Sequence, residues 1–208
     1  LAKECPANAD IVVPVPDSGV PAALGYSEES KIPFELSIIR NHYVGRTFIL
    51  PTQSNRQSSV KLKHNPDRGS IKGKRVVLVD DSVVRGTTSV KIVELMREAG
   101  ASEIHMRIAC PPIKYPDFYG IDTPETEQLL ASNKSLDEMC KYIGADSLGF
   151  LSLDGLYQSM GYKKGRNNDS PEYTDHCFTG DYPTNLNDYK SEKIQEQLSL
   201  LSENESQN

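Results

Sequence analysis

Two adjacent carboxylates, Asp80 and Asp81, follow the apolar run VVLV at residues 76–79 and precede Ser82, Arg85, Gly86, Thr87 and Thr88. Adjacent carboxylates repel one another unless a cation or a pair of hydroxyl donors bridges them. An apolar run between charged ends reads as a strand buried on both faces. The acidic pair then falls at its C-terminal edge, where an open parallel sheet binds ligands. Downstream, Gly86 lets the backbone come close, two threonines supply hydroxyls, and the free amides of a helix's first turn face outward. That combination suits a phosphate. A vicinal diol beside a phosphate satisfies both halves, and ribose 5-phosphate carries both. Each feature alone would serve as an ordinary strand end or helix cap. Together at one strand–loop–helix junction they point to a ligand site.

The elements that must position this junction are legible around it. Residues 11–15 read as a short strand ended by Pro16-Asp17-Ser18-Gly19, with a helix over 20–30 that places Pro21 near its first turn. Residues 34–39 are a second strand candidate, and 75–79 the clearest strand. Thr87 or Thr88 can cap the next helix, whose apolar face includes Val90, Val93, Leu95 and Met96 and which Gly100 ends. A strand at 104–109 completes a βαβ unit, so the sheet is mostly parallel. Thr123-Pro124 starts a helix over 125–131, and Ser135-Leu136-Asp137-Glu138 is a capping box for 136–143. A strand at 148–151 and a helix at 154–160 follow. The fold class is α/β: a mostly parallel sheet flanked by helices, with a long flexible loop over its C-terminal edge. That loop is the polar stretch 52–70, which has almost no apolar period.

The chain has 208 residues, enough for one ordinary domain with extensions. A main unit over 1–160, an extension over 161–187 and a polar tail over 188–208, at most a marginal helix around 194–201, are expected. No apolar run approaches the ~20 residues that span a bilayer, so no membrane association is expected. The net charge of −6 argues against nucleic acid. Nine Lys/Arg nevertheless fall within residues 40–75 against one acid, Asp67, which points to a local anionic ligand. Cys5, Cys110, Cys140 and Cys177 are scattered without a CxxC pair, as expected of free thiols in a reducing, cytoplasmic compartment. Leu1 stands where a complete chain has Met, so the sequence is expected to begin inside a larger protein.

VLVDDSVVRGTT resembles the ribose-phosphate signature of type I phosphoribosyltransferases, in the form used by the amidophosphoribosyltransferase family. PVPDSGVPAALGY, RNHYVGRTFI, LMREAGASEIH, FYGIDTP and IGADSLGFLSLDGL resemble the same family in its order. The likeness covers roughly residues 10–160 and resumes at CFTGDYPT, residues 177–184. It implies a type I phosphoribosyltransferase fold, with residues 1–160 as an N-terminally truncated phosphoribosyltransferase domain. It also implies formation of 5-phosphoribosylamine and pyrophosphate from phosphoribosyl pyrophosphate and ammonia, the first committed step of purine (IMP) synthesis. The ammonia would come from an N-terminal glutaminase domain that this chain lacks. Cys5 sits in an unrelated context and is not its nucleophile. A homo-oligomer is expected.

The resemblance also assigns roles. Asp80 and Asp81 hold the ribose hydroxyls and organise Mg²⁺, and Ser82, Arg85, Gly86, Thr87 and Thr88 form the 5-phosphate loop. Asp17, Ser18 and Gly19 form the pyrophosphate loop, with Ser18 in the metal or pyrophosphate shell. Arg40 stands where the family carries a lysine near the pyrophosphate; it keeps the charge but not the point-like geometry. Tyr43 and Arg46 belong to the loop that closes over substrate, while His42 replaces a common arginine and receives no catalytic role. Some members hold an iron–sulfur cluster through cysteines; here Asp117 stands at one such position and Cys177 alone remains near the end, so no cluster is expected. Two other readings compete: a base-salvage phosphoribosyltransferase, and a regulator that senses phosphoribosyl pyrophosphate without turning it over. FYGIDTP and IGADSLGFLSLDGL argue against the first, and the intact RNHYVGRTFI against the second.

Overall fold

The computed structural model describes residues 1–40 and 64–186. Four β-branched or apolar runs build its centre. Strands β1 (Ile11–Pro14), β4 (Arg75–Asp80), β5 (Glu103–Ile108) and β6 (Ser147–Phe150) form a parallel sheet in the order β1-β4-β5-β6. The register sets Ile11 against Val76 and Pro14 against Val79, so β1 and β4 end level with one another. A separate antiparallel ribbon pairs β2 (Ile38–Arg40) with β3 (His64–Pro66).

Alternation along the strands sends side chains to two cores. Val12, Val77 and Val79 face one side, where they meet Ala23 and Tyr26 of α1 (Val20–Ser30). Ile11, Val13, Val76 and Leu78 face the other, against Ile92, Val93 and Met96 of α3 (Thr87–Glu98) and Met139 and Ile143 of α5 (Leu136–Ile143). Each such side chain stabilises the fold by ~1.5–3 kcal/mol through burial, so the central strands are the anchor for everything at their ends. The expected βαβ unit and parallel sheet are therefore present.

Local signals worked best where they were self-contained. Helix α5 carries the reciprocal cap: Ser135 Oγ accepts from Glu138 N–H, and the Glu138 carboxylate accepts from Ser135 N–H at 2.8 Å. Helix α6 (Leu153–Ser159) starts at a Ser152 cap, close to the expected 154–160. Three expectations need correction. The strand over 34–39 is instead a single parallel bridge from Phe34 to Val12, with β2 beginning only at Ile38. The loop expected over 52–70 does not hold over its last residues, where β3 and helix α2 (Arg68–Ile71), capped by the Asp67 side chain, stand instead; residues 52–63 lie outside the described residues. The helix over 125–131 is broken into a 3₁₀ turn (Thr126–Gln128) and α4 (Leu130–Asn133) around an extended Leu129. Leu129 is fully buried, and its burial outweighs the continuous helix that the Thr-Pro start suggested.

Both chain extensions are tied to this frame. Buried Arg107 on β5 donates through Nε to the Cys5 carbonyl at 2.7 Å and through Nη2 to that of Pro6 at 3.1 Å. Beyond α6, Arg166 pairs with Asp175 at 2.6 Å, both side chains about 5% exposed, and Tyr157 donates to the same carboxylate at 2.7 Å. Burial alone would raise the Asp175 carboxyl, but the hydrogen bonds from Arg166, Tyr157 and Thr179 hold it below its usual value. A last helix, α7 (His176–Thr179), docks on the loop after β5, where the Cys177 carbonyl accepts from Lys114 and Tyr115 N–H. The tail helix around 194–201 lies outside the described residues.

Candidate functional site

The level ends of β1 and β4 bring two loops together. After β1, Val15 N–H donates to the Val79 carbonyl at 2.8 Å, and the turn through Asp17 and Ser18 leads to Gly19 at the N-terminus of α1. Gly19 lies against the Val79 carbonyl, and a β-carbon there would also come within 2.9 Å of the Val15 carbonyl. Only glycine fits. Asp17 and Ser18 are exposed at this edge. Arg40, at the end of β2, reaches back to Asp17 with Nη1 to Oδ2 at 2.6 Å. The structure thus joins the expected pyrophosphate-loop residues to Arg40.

At the end of β4, Asp80 is 6% exposed and Asp81 is exposed. Asp80 Oδ1 accepts from Asp81 N–H at 2.9 Å, and Asp81 Oδ1 from Ser82 N–H at 2.7 Å. No basic side chain among the described residues pairs with either. Burial, and then the neighbouring Asp81 charge, push the Asp80 carboxyl up to about 7. The same surroundings push the half-buried Cys110 thiol, just past β5, up to about 12, chiefly by burial and then by Asp81 and Asp80. It therefore stays protonated at neutral pH. Two oxygen-rich acids, one buried and short of a counter-charge, fit a hard divalent cation, with Ser18 a further oxygen donor on the facing loop.

The chain then turns through Ser82 and Arg85 into α3. Neither Thr87 nor Thr88 caps that helix as expected: Gly86, at φ +76°, is the N-cap, without a side-chain hydrogen bond. Both threonine side chains are thus exposed beside the free amides of an N-terminus, as a phosphate requires. Gly86 is buried under Leu130 and Tyr142, and Arg85 Nε donates to Gln128 Oε1 at 3.1 Å. Gln128, Leu130 and Tyr142 were missed in the sequence because nothing in their spacing marks them. Tyr43 and Arg46 lie outside the described residues.

A second cluster joins Asp117, His176 and Cys177, whose donor atoms lie within 4.8 Å of one another. Asp117 Oδ1 meets His176 Nε2 at 2.7 Å, while Oδ2 accepts from Tyr119 and Ile121 N–H at 2.9 and 2.7 Å. Burial and the Asp117 charge raise the Cys177 thiol. One thiol, one imidazole and a carboxylate already engaged on both oxygens do not fit a four-thiolate iron–sulfur cluster.

A strand-end acidic pair beside a glycine-tight turn on one parallel sheet suits a phosphoribosyl-transferring domain. The family model described as "Phosphoribosyl transferase domain" matches residues 1–116, and the chain belongs to that family. Its relatives are more specific. It is 62% identical over 205 residues to the amidophosphoribosyltransferase of Rhizobium etli, covering 98% of this chain and 41% of that protein. Against the amidophosphoribosyltransferase of Methanothermobacter thermautotrophicus the identity is 53%, over 89% of this chain and 38% of the relative. Among solved structures, glutamine phosphoribosylpyrophosphate amidotransferase from Bacillus subtilis, complexed with ADP and GMP, superposes with a TM-score of 0.75 at 49% identity. It covers 89% of this chain and 40% of that one. The chain thus spans about 40% of the length of the relatives it matches.

Proposed function

We propose that this chain is the transferase part of an amidophosphoribosyltransferase, with residues 1–160 as the catalytic domain and 161–187 as an extension braced against it. It transfers the phosphoribosyl group of phosphoribosyl pyrophosphate to ammonia, the first committed step of purine synthesis. The C–O bond to pyrophosphate breaks with its electron pair leaving on oxygen. The C–N bond forms from the ammonia lone pair, and the amine then sheds a proton. The observation that carries this reading is the Asp80–Asp81 pair beside the exposed Thr87–Thr88 helix start, at the edge it shares with the Gly19 turn.

Each group has a task. Asp80 and Asp81 accept from the ribose hydroxyls, and their negative field favours the positive charge that develops on the ribosyl ring. The amides and hydroxyls of Ser82 and Gly86 to Thr88 receive the 5-phosphate, with Arg85 beside them. Asp17, Ser18 and Gly19 face the pyrophosphate, and Arg40 exchanges its Asp17 partner for that anion. Mg²⁺, held by Asp80, Asp81 and Ser18, would neutralise charge on the pyrophosphate leaving group. Tyr43 and Arg46 close the site and exclude water, which would otherwise compete with ammonia. The ammonia comes from a glutaminase domain upstream, in a cytosolic homo-oligomer.

The test uses the full-length enzyme. Asp80→Asn with Asp81→Asn abolishes ammonia-dependent phosphoribosylamine synthesis while glutamine hydrolysis continues. Undiminished synthesis in that double variant overturns the reading.

A further inference from the structure

We propose that residues 123–133 form a brace that presets the 5-phosphate loop, and that Gln128 is a positioning residue for Arg85. The inference rests on the reading of Ser82 to Thr88 as the phosphate loop.

Three contacts converge on that loop from one segment. The Leu130 N–H donates to the Val84 carbonyl at 2.9 Å, fixing the backbone one residue before Arg85. The Leu130 side chain covers Gly86, where a β-carbon would stand 2.7 Å from its Cδ2 and 3.1 Å from the Tyr142 ring. Gln128 Oε1 accepts from Arg85 Nε at 3.1 Å. An arginine held at Nε keeps both terminal amino groups free, and those two groups are the fork that grips a phosphate. A long exposed cation is thereby aimed before the ligand arrives, which removes part of the ordering cost of binding.

The brace is itself rigid. The Asn133 carboxamide faces the carbonyls of Thr126, Glu127 and Leu129 at 2.8–3.2 Å, locking the 3₁₀ turn that presents Gln128. Ser132 Oγ donates to the Lys114 carbonyl, and the buried Leu129 anchors the turn below. The break between the 3₁₀ turn and α4 therefore has a use. It lets Leu129 enter the core while the neighbouring Gln128 stays on the surface beside Arg85. Because Gln128 is exposed, replacing it leaves the core intact.

The experiment measures inhibition of full-length enzyme, supplied with ammonia, by two probes: ribose 5-phosphate and inorganic pyrophosphate. Gln128→Ala raises the inhibition constant for ribose 5-phosphate about tenfold and leaves that for pyrophosphate within about twofold. Gln128→Glu keeps an acceptor for Nε but adds a negative charge that competes with the phosphate for Arg85, so it does not restore the wild-type value. In an Arg85→Ala background, adding Gln128→Ala has no further effect. The proposal is overturned if Gln128→Ala changes neither constant, raises both alike, or keeps its full effect without Arg85. Thr87→Val separates the underlying reading: a wild-type ribose 5-phosphate constant there removes the phosphate loop itself, and the brace with it.

Discussion

Gly19 is seated directly on the carbonyl of Val79, the residue before Asp80. The contact couples the turn that follows β1 to the strand that carries the acidic pair. Its backbone is ordinary, with φ at −74°, so the constraint is space and not conformation. Gly19→Ala drives a methyl into two backbone oxygens, which cannot rotate away. The expected cost is ~1–3 kcal/mol of stability, read by urea denaturation. A larger loss of affinity for phosphoribosyl pyrophosphate should accompany it, since the turn must shift. Wild-type stability and affinity in the alanine variant would refute the contact.

Asp80 makes the metal-free protein less stable as pH rises. Burial and Asp81 lift its pKa to about 7, above its value in the unfolded chain, so the folded state binds this proton more tightly. The resulting stability is complete below the ordinary carboxyl range and is lost as pH rises through about 7. Asp80→Asn lacks that dependence. The variant should gain on the order of 4 kcal/mol over the metal-free wild type at about pH 8, from a pKa raised from 3.8 to about 7 at ~1.4 kcal/mol for each tenfold difference in proton affinity, and little at about pH 4. Thermal melts without Mg²⁺ at the two pH values check this; parallel curves would refute it.

Arg40 is held by Asp17, the two side chains being 42% and 59% exposed respectively. Such a pair is worth little to folding, so Arg40→Met should leave the melting temperature unchanged. If Arg40 moves to the pyrophosphate, the same variant raises KM for phosphoribosyl pyrophosphate about ten- to a hundredfold. Arg40→Lys should recover part of that loss. Steady-state kinetics with ammonia as donor decides it, and an unchanged KM in Arg40→Met rejects the role.

Arg166 and Asp175 form the buried tie that holds the extension. Arg166→Met leaves the Asp175 carboxylate buried beside Tyr157 without its cation, a change that costs ~3–5 kcal/mol. The expected result is local: faster amide hydrogen exchange across residues 161–186, with the parallel sheet still protected. Unchanged exchange in that segment would show that other contacts carry it.

The acidic pair, the Gly86-Thr87-Thr88 start and the Pro-Asp-Ser-Gly turn were readable because their meaning is local. A strand end, a tight turn and a helix N-terminus each have a chemistry set by a few consecutive residues. The Ser135 cap and the helix over 20–30 were readable for the same reason. Residues 125–131 misled because capping preference is weaker than the burial of Leu129. Phe34 misled because an apolar run does not say whether a partner strand extends beside it. Gln128 gave no signal at all, since its value lies in a contact with Arg85, 43 positions away.

The sequence by itself therefore determined the parallel α/β class and the acids, hydroxyls and amides that residues 80–88 bring to the end of β4. Tertiary structure alone decided that Asp80 is buried and its pKa displaced, that Gly19 rests on Val79, and that Gln128 meets Arg85. The division has a physical cause. Hydrogen-bonding type and turn geometry are properties of neighbouring residues, whereas desolvation and close approach depend on what the rest of the chain places alongside them.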